Sequence, residues 1–386
     1  MRDGQSEMTG QHIKKSAMTA DVVVIGGGLH GCSTALHLAM AGMSVIVLEK
    51  DYVGRHASGV NAGGVRRLGR DMAEIPLSVA AAKLWDNIED LVDDDCGFKT
   101  SHQIKVAETP EELNQLKARA EQVRQAGFEH EQIIDQQTLQ QLLPSAAPHC
   151  VGGMIVEGDG HANPFRTVHA FKRKCQSLGV NFREGTSVAS VKNSNGCWSI
   201  ECYEGSNKHV VQTQYLVNCA GAWGGKIAAM LGETVPVKAC APMLMITARL
   251  PPFVDGVVGT QGRTLSFKQF SNGTVLIGGG HQGRAEPDTN ITLLDYNGLA
   301  INARSAIAIF PIMRQARLVR AWAGIEGIMA DGIPVIGPSQ AEGAYHGFGF
   351  SAHGFQLGPI GGKILSDLIV NGRTDLPIFP FKVDRF

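Results

Sequence analysis

Three glycines and one carboxylate carry the clearest chemistry in this sequence. Gly26, Gly28 and Gly31 stand in the spacing Gly-x-Gly-x-x-Gly. In that spacing the first glycine makes a tight turn, the second lets backbone approach a pyrophosphate, and the third lets a helix pack against a strand. The N–H groups and dipole at the helix start then attract phosphates. Glu49 lies further on, with Lys50 beside it, where a carboxylate can bond ribose hydroxyls. This is chemistry for holding a dinucleotide. It requires strand, turn, helix and second strand in order. Residues 21–25 are a continuous apolar run, as in a strand buried on both faces. Residues 32–41 are small and apolar at helical spacing, closed by Gly42, and residues 44–48 read as a second buried strand. The spacing therefore predicts a βαβ unit. Residues 278–283 also fit the glycine pattern, but Arg284-Ala285-Glu286-Pro287-Asp288 cannot start a helix with an apolar face, so this stretch reads as a strand end.

The remaining chain must position that unit. Helices are expected over 75–91, through 110–143, over 164–178, near 292–309 and over 360–370, and strands near 180–183, 186–192, 197–203 and 209–218. Asn195-Gly196 is a hairpin turn. The fold expected is α/β: a Rossmann-like nucleotide domain from residues 18–100, 150–235 and 320–386, interwoven with an α+β domain from 101–149 and 236–319 built on a mostly antiparallel sheet. Residues 1–17 are polar, lack the apolar core of a signal peptide, and are expected to form a flexible tail. A net charge of −1 gives no electrostatic footprint for nucleic acid. No apolar run is long enough to span a bilayer. The 8 cysteines are scattered without a C-x-x-C pair and read as buried thiols in a reducing compartment, the cytoplasm. No metal-ligand spacing is present.

Further motifs follow the first in order: Ser58-Gly59-Val60-Asn61-Ala62-Gly63-Gly64-Val65-Arg66; Leu216-Val217-Asn218-Cys219-Ala220-Gly221-Ala222-Trp223; and Trp322-Ala323-Gly324-Ile325 through Asp331-Gly332-x-Pro334, then residues 347–358. With the glycine unit, they resemble the D-amino-acid oxidase superfamily of FAD-dependent oxidoreductases, near glycine oxidase and the sarcosine oxidase β-subunit group. The resemblance spans residues 20–371. It implies FAD as cofactor. Ser58, Asn61, Ala62, Gly63 and Gly64 would pass over the flavin; Ala220, Gly221 and Trp223 would reach it from the strand; Val188 would present its backbone to adenine. Gly324 and Asp331 belong to the C-terminal motif, and a last helix starting near Phe355 and Gln356, just after Gly354, would aim its dipole at the flavin. Some members of the wider family attach FAD through a His in the second loop; Asn61 holds that place here, which implies non-covalent FAD. Only one dinucleotide unit is present, so the organic substrate rather than a nicotinamide nucleotide is expected to reduce the flavin.

The resemblance implies oxidation of a C–N bond in an amino acid or secondary amine, with hydride passing to the flavin and the imine hydrolysing. Two anion holders of the family are missing: Glu326 follows the Trp-Ala-Gly segment where glycine oxidases carry Arg, and Gln356 stands where monomeric sarcosine oxidases carry Lys. Arg66 matches an Arg that holds carboxylate in the sarcosine oxidases, whereas Arg67 and Arg70 read as solvated or structural. Lys268, His281, Arg320 and His353 are further candidates for the substrate site, each also readable as a packing or surface residue. Glu326 suits a substrate carrying a cation. Three readings stay open: an independent amine or amino-acid oxidase or dehydrogenase; the FAD-bearing β-type subunit of an opine, hydroxyproline or sarcosine oxidoreductase that passes electrons to partner subunits; and a catalytically silent flavin-binding subunit.

Overall fold

The computed structural model describes residues 18–386, and the expected tail lies outside the described residues. Strand β1 (Met18–Ile25), helix α1 (Leu29–Met40) and strand β2 (Val45–Leu48) form the expected βαβ unit. β1 and β2 run parallel, with Val22 opposite Val45 and Ile25 opposite Leu48. Val22, Val23 and Val24 are fully buried because both faces of the sheet are covered. On one face α1 packs with the helices Ile75–Asp86, Pro164–Ser177 and Gly354–Asn371 around a core including Leu36, Trp85, Phe171 and Leu357. On the other, Val23, Ile25 and Ile46 meet Trp198, Ile200 and Ile227.

Among the described residues the sheet has eight strands. Asn207–Asn218 serves it twice: its first half is antiparallel to Cys197–Glu204, and its second half is parallel to β1. Ala344–Phe348 adds a further parallel strand. Ile25, Asn218 and His346 lie in register, so the turns that follow all three strands emerge at one edge of the sheet. In open parallel sheets this carboxyl edge is where ligands bind.

The second sheet has twelve strands among the described residues. Its pairings are antiparallel, apart from Val257–Thr260 with Lys99–Ala107. Val237–Thr247 pairs with four neighbours: Val275–Gly278, Gln282–Glu286, Leu318–Ala323 and Glu326–Met329. A core of Ile104, Met245, Phe267 and Phe310 lies between this sheet and the helix Tyr296–Ile309.

Several expectations needed adjustment. Gly152–His161 and the strands between 318 and 329 pair in the larger sheet, although residues from 150 and from 320 were expected with the nucleotide domain. An apolar run reports that a strand is buried, not which sheet buries it. The stretch 110–143 contains a strand, Gln132–Asp135, between two helices, because Gly127 in a left-handed conformation (φ 86°) ends the first helix and Ile134 joins Gly153 in the sheet. The helix expected over 75–91 breaks at Asn87, which bonds back to the Lys83 carbonyl. Seven cysteines are buried as expected; Cys197 is exposed.

Trp85 ties three elements together. It is fully buried, its Nε1 donates to the Gln356 carbonyl at 2.8 Å, and its ring meets Phe98 and Phe355. Trp85→Ala is expected to lower stability by about 3–5 kcal/mol, measured as a fall in the urea unfolding midpoint.

Candidate active site

The glycine turn works by close approach. Gly26 has φ 109°, and a side chain there would overlap the Cys219 carbonyl; a side chain at Gly31 would overlap the Gly26 carbonyl. α1 can therefore start directly over the end of β1 only with these two glycines in place. Gly28 is the N-cap of α1 and has no side chain to cap it; the Ser58 hydroxyl accepts from Leu29 N at 2.9 Å instead. Glu49 is almost fully buried, and its two oxygens accept from Gly27 N at 2.7 Å and Asp51 N at 2.8 Å. Burial raises its pKa above the ordinary carboxylate value. The acid at the end of β2 thus braces the glycine turn as well as facing the cavity.

The second loop is held by Asn61. Its Oδ1 accepts from Gly63 N at 2.7 Å and its Nδ2 donates to the Ala57 and Ser58 carbonyls. Gly64, beyond it, has open space where a side chain would stand, as does Gly221 on the facing turn. That turn is anchored from behind. Asn218 Oδ1 accepts from Ala220 N and its Nδ2 donates to the Gly224 carbonyl, while the buried pair of His346 and Glu233, 2.7 Å apart, backs Asn218. Trp223 Nε1 donates to the Pro287 carbonyl at 3.1 Å, and the Lys50 ammonium lies 3.3 Å from its ring centroid. Burial lowers the Lys50 pKa to about 8.

These parts surround one continuous cavity of about 710 Å³ between the two sheets, within the range of small-molecule and cofactor sites. Gly26, Gly28, Glu49, Lys50, Ser58, Asn61, Ala62, Gly63, Gly64, Val188, Ala220, Gly221, Trp223, Gly324, Gly354 and Phe355 line it. Helix start, bare backbone at Gly64 and Gly221, and a long cleft fit a dinucleotide with a flat ring system. Arg66, Glu326 and His353 line the same cavity. Among the described residues the Arg66 side chain bonds only the Leu68 carbonyl, at 2.7 Å. His353 Nδ1 lies 2.7 Å from Glu74 Oε2, a fully buried carboxylate. Burial lowers the His353 pKa, with Glu74 opposing. Arg70 is structural: fully enclosed, it donates to the His353 carbonyl and to Gln356 Oε1.

Other candidates lie elsewhere. Asp331 pairs with Arg385 at 2.7 Å, away from the cavity lining. Gln356 is buried behind the wall between Arg70 and the Ser78 carbonyl, because the helix start turns its side chain into the core. Gly31 packs helix on strand and does not line the cavity. Lys268 is buried without a hydrogen-bond partner and outside the lining, its pKa lowered to about 7 by burial. His281 meets Thr264 Oγ1 at 3.2 Å, outside the lining, and Arg320 is exposed on its strand. Motif reading overlooked Lys105, which lines the cavity, and Glu74. Lys105 had a signal: a lone charge between the core residues Ile104 and Val106 must point to the other face of the strand. Glu74 had none.

Ser58→Ala removes the borrowed cap of α1. The expected cost is about 1 kcal/mol, seen as roughly fivefold weaker cofactor binding by equilibrium ultrafiltration, with the circular dichroism spectrum unchanged.

Residues 21–368 match the family model described as FAD dependent oxidoreductase. An opine oxidase subunit from Rhizobium meliloti is 25% identical over 382 residues, covering 95% of this chain and 97% of that protein. The crystal structure of glycine oxidase from Geobacillus kaustophilus superposes with a TM-score of 0.88 at 22% identity, covering 96% of this chain and 100% of the other. That of L-proline dehydrogenase from P. horikoshii gives 0.87 at 24% identity, covering 96% and 98%. These two structures share the fold. The family match spans the glycine turn, the Asn61 loop, the Trp223 turn and most of the last helix, and this chain belongs to the FAD-dependent oxidoreductases.

Proposed function

We propose that this enzyme binds FAD non-covalently and oxidises a C–N bond in a small amine or amino acid. The observation that carries the reading is that one cavity holds both the pyrophosphate turn of α1 and the side chains of Arg66, Glu326 and His353. FAD, when bound, supplies a two-electron acceptor for the hydride on the carbon next to nitrogen. The chain's residues do the rest. Arg66, with no acidic partner among the described residues, is free to hold a substrate carboxylate. Glu74 and Arg70 fix His353 and the start of the last helix, whose N-terminal dipole favours negative charge in the cavity. Asn61, occupied by three backbone bonds, offers no nucleophile for covalent attachment. We read the eight-stranded sheet with its helices as the cofactor domain and the twelve-stranded sheet as the substrate domain. The imine product is released to hydrolyse.

A second reading makes the chain the flavin component of a larger oxidoreductase. The full-length similarity to an opine oxidase subunit favours it. Among the described residues no helix is long and apolar enough to cross a membrane, and the free buried thiols suit the cytoplasm.

Anaerobic mixing with amino acids, N-methyl amino acids, prolines and opines tests the reading. One class is expected to bleach the flavin band; a folded, yellow protein that none of them bleaches contradicts independent catalysis. Arg66→Ala is expected to raise the half-saturating concentration of a carboxylate-bearing substrate by about 10–100-fold, measured in the same stopped-flow assay, with flavin content unchanged.

A further inference from the structure

Among the described residues two carboxylates line the cavity, Glu49 and Glu326. Both oxygens of Glu49 are taken by backbone N–H groups. Glu326 is different. It stands opposite Cys240 in strand register, and among the described residues its side chain makes one hydrogen bond, accepting from Ala352 N at Oε1, 2.7 Å away. Among the described residues it has no salt-bridge partner and no hydrogen bond to Oε2. The cations lining the cavity are otherwise engaged or distinct: Arg55 with Asp51, Arg70 with Glu74, Lys226 with Asp288, Lys50 with Asn290 and the Trp223 ring. Arg66 and Lys105 line it without an acidic partner among the described residues.

A half-enclosed carboxylate with one oxygen unmet by protein donors costs free energy. The bond to Ala352 has its own structural use, since Ser351 and Ala352 both hold left-handed backbone, φ 49° and 66°. That use needs an acceptor, which a neutral amide supplies equally well. It does not need a charge. The charge lies on the lining of a cavity that also carries Arg66 and Lys105.

We propose that Glu326 receives the positively charged nitrogen of the substrate and takes its proton, so that the enzyme selects amines charged at the nitrogen to be oxidised. This rests on the C–N oxidation reading above. The proton passes from the ammonium nitrogen to Oε2 of Glu326. That leaves a neutral carboxyl group and a neutral amine with a free lone pair. The lone pair then forms the C=N bond as the adjacent carbon loses its hydride to bound FAD, the two-electron oxidant. Burial raises the Glu326 pKa to about 7, which suits a group that accepts a proton near neutrality. The ionisable groups around it are Lys238 and Cys240 on the paired strand, His353 beyond Ala352, and His56 before Ala57, whose N–H bonds the Ile325 carbonyl.

The test uses the flavin-loaded enzyme and its Glu326→Gln variant. The probes are betaine, a trimethylammonium carboxylate with no N–H, and 3,3-dimethylbutanoate, the isosteric carboxylate with an uncharged quaternary carbon in place of the cationic nitrogen. Binding is read by calorimetry at pH 8. The wild type is expected to bind betaine at least about tenfold more tightly than the isostere, and the preference is expected to vanish in the variant while flavin content stays the same. The preference is also expected to fade below about pH 7 in the wild type, as Glu326 becomes neutral. The rate of anaerobic flavin reduction by an amine should rise through the same pH in the wild type and lose that limb in E326Q. No cation preference in the wild type, or one that survives in E326Q, overturns the receptor role; a limb that persists in E326Q overturns the proton transfer. If amines bleach the flavin but no cation preference exists, Glu326 is misassigned and C–N oxidation stands. If betaine is preferred through Glu326 but no amine bleaches the flavin, the receptor stands and the oxidation reading falls.

Discussion

The close approach of α1 to β1 at Gly31 is the contact on which the rest of the site depends. It places the first turn of a helix over the carboxyl edge of a parallel sheet, where backbone N–H groups and the helix dipole are available to phosphate. The parallel register then does the assembling. Since Ile25 is level with Leu48, Asn218 and His346, the turns carrying Glu49, Ala220 and Gly349 arrive at the same edge without any further instruction. The Ser58 loop closes over them and caps α1 from outside.

Behind that edge the protein keeps two buried polar networks. One runs from Glu233 through His346 and Asn218 to the Ala220 turn. The other joins Glu74, Arg70, Gln356 and His353 beneath the last helix. Buried charges are tolerated when paired and hydrogen-bonded, and here each network ends on backbone that lines the cavity. They hold the walls in place, and Arg66, Glu326 and His353 line the same cavity.

The cofactor half of the site was legible in the sequence because phosphates and flat rings impose backbone geometry, and backbone geometry imposes glycines at fixed spacing. Gly26 and Gly28 were read that way, Gly63 and Gly221 only through motifs that resemble the family's, and the rejected glycine run at 278–283 proved a strand end followed by another strand. The substrate half was legible only in part. Lys268, His281 and Arg320 were chosen as charged residues near strands, yet a strand's sequence reveals only that alternate residues share a face, not which face meets the cavity or how far along it the cavity extends. Strand Glu326–Met329 shows the better route: Glu326 was picked out by its place in a motif, and its strand pairing puts it on the wall. Glu74 and Gln356 could not be sorted from sequence, since both depend on how one helix start packs on another.

A crystal structure of the protein with its own chromophore tests the account most directly. The expected result is one FAD per chain, its pyrophosphate hydrogen-bonded to the turn between Gly26 and Leu29, its ring against Gly63 and Gly64, and no bond joining it to a side chain. A flavin anchored elsewhere, one linked covalently to His56, or a nucleotide without flavin in the α1 turn contradicts it.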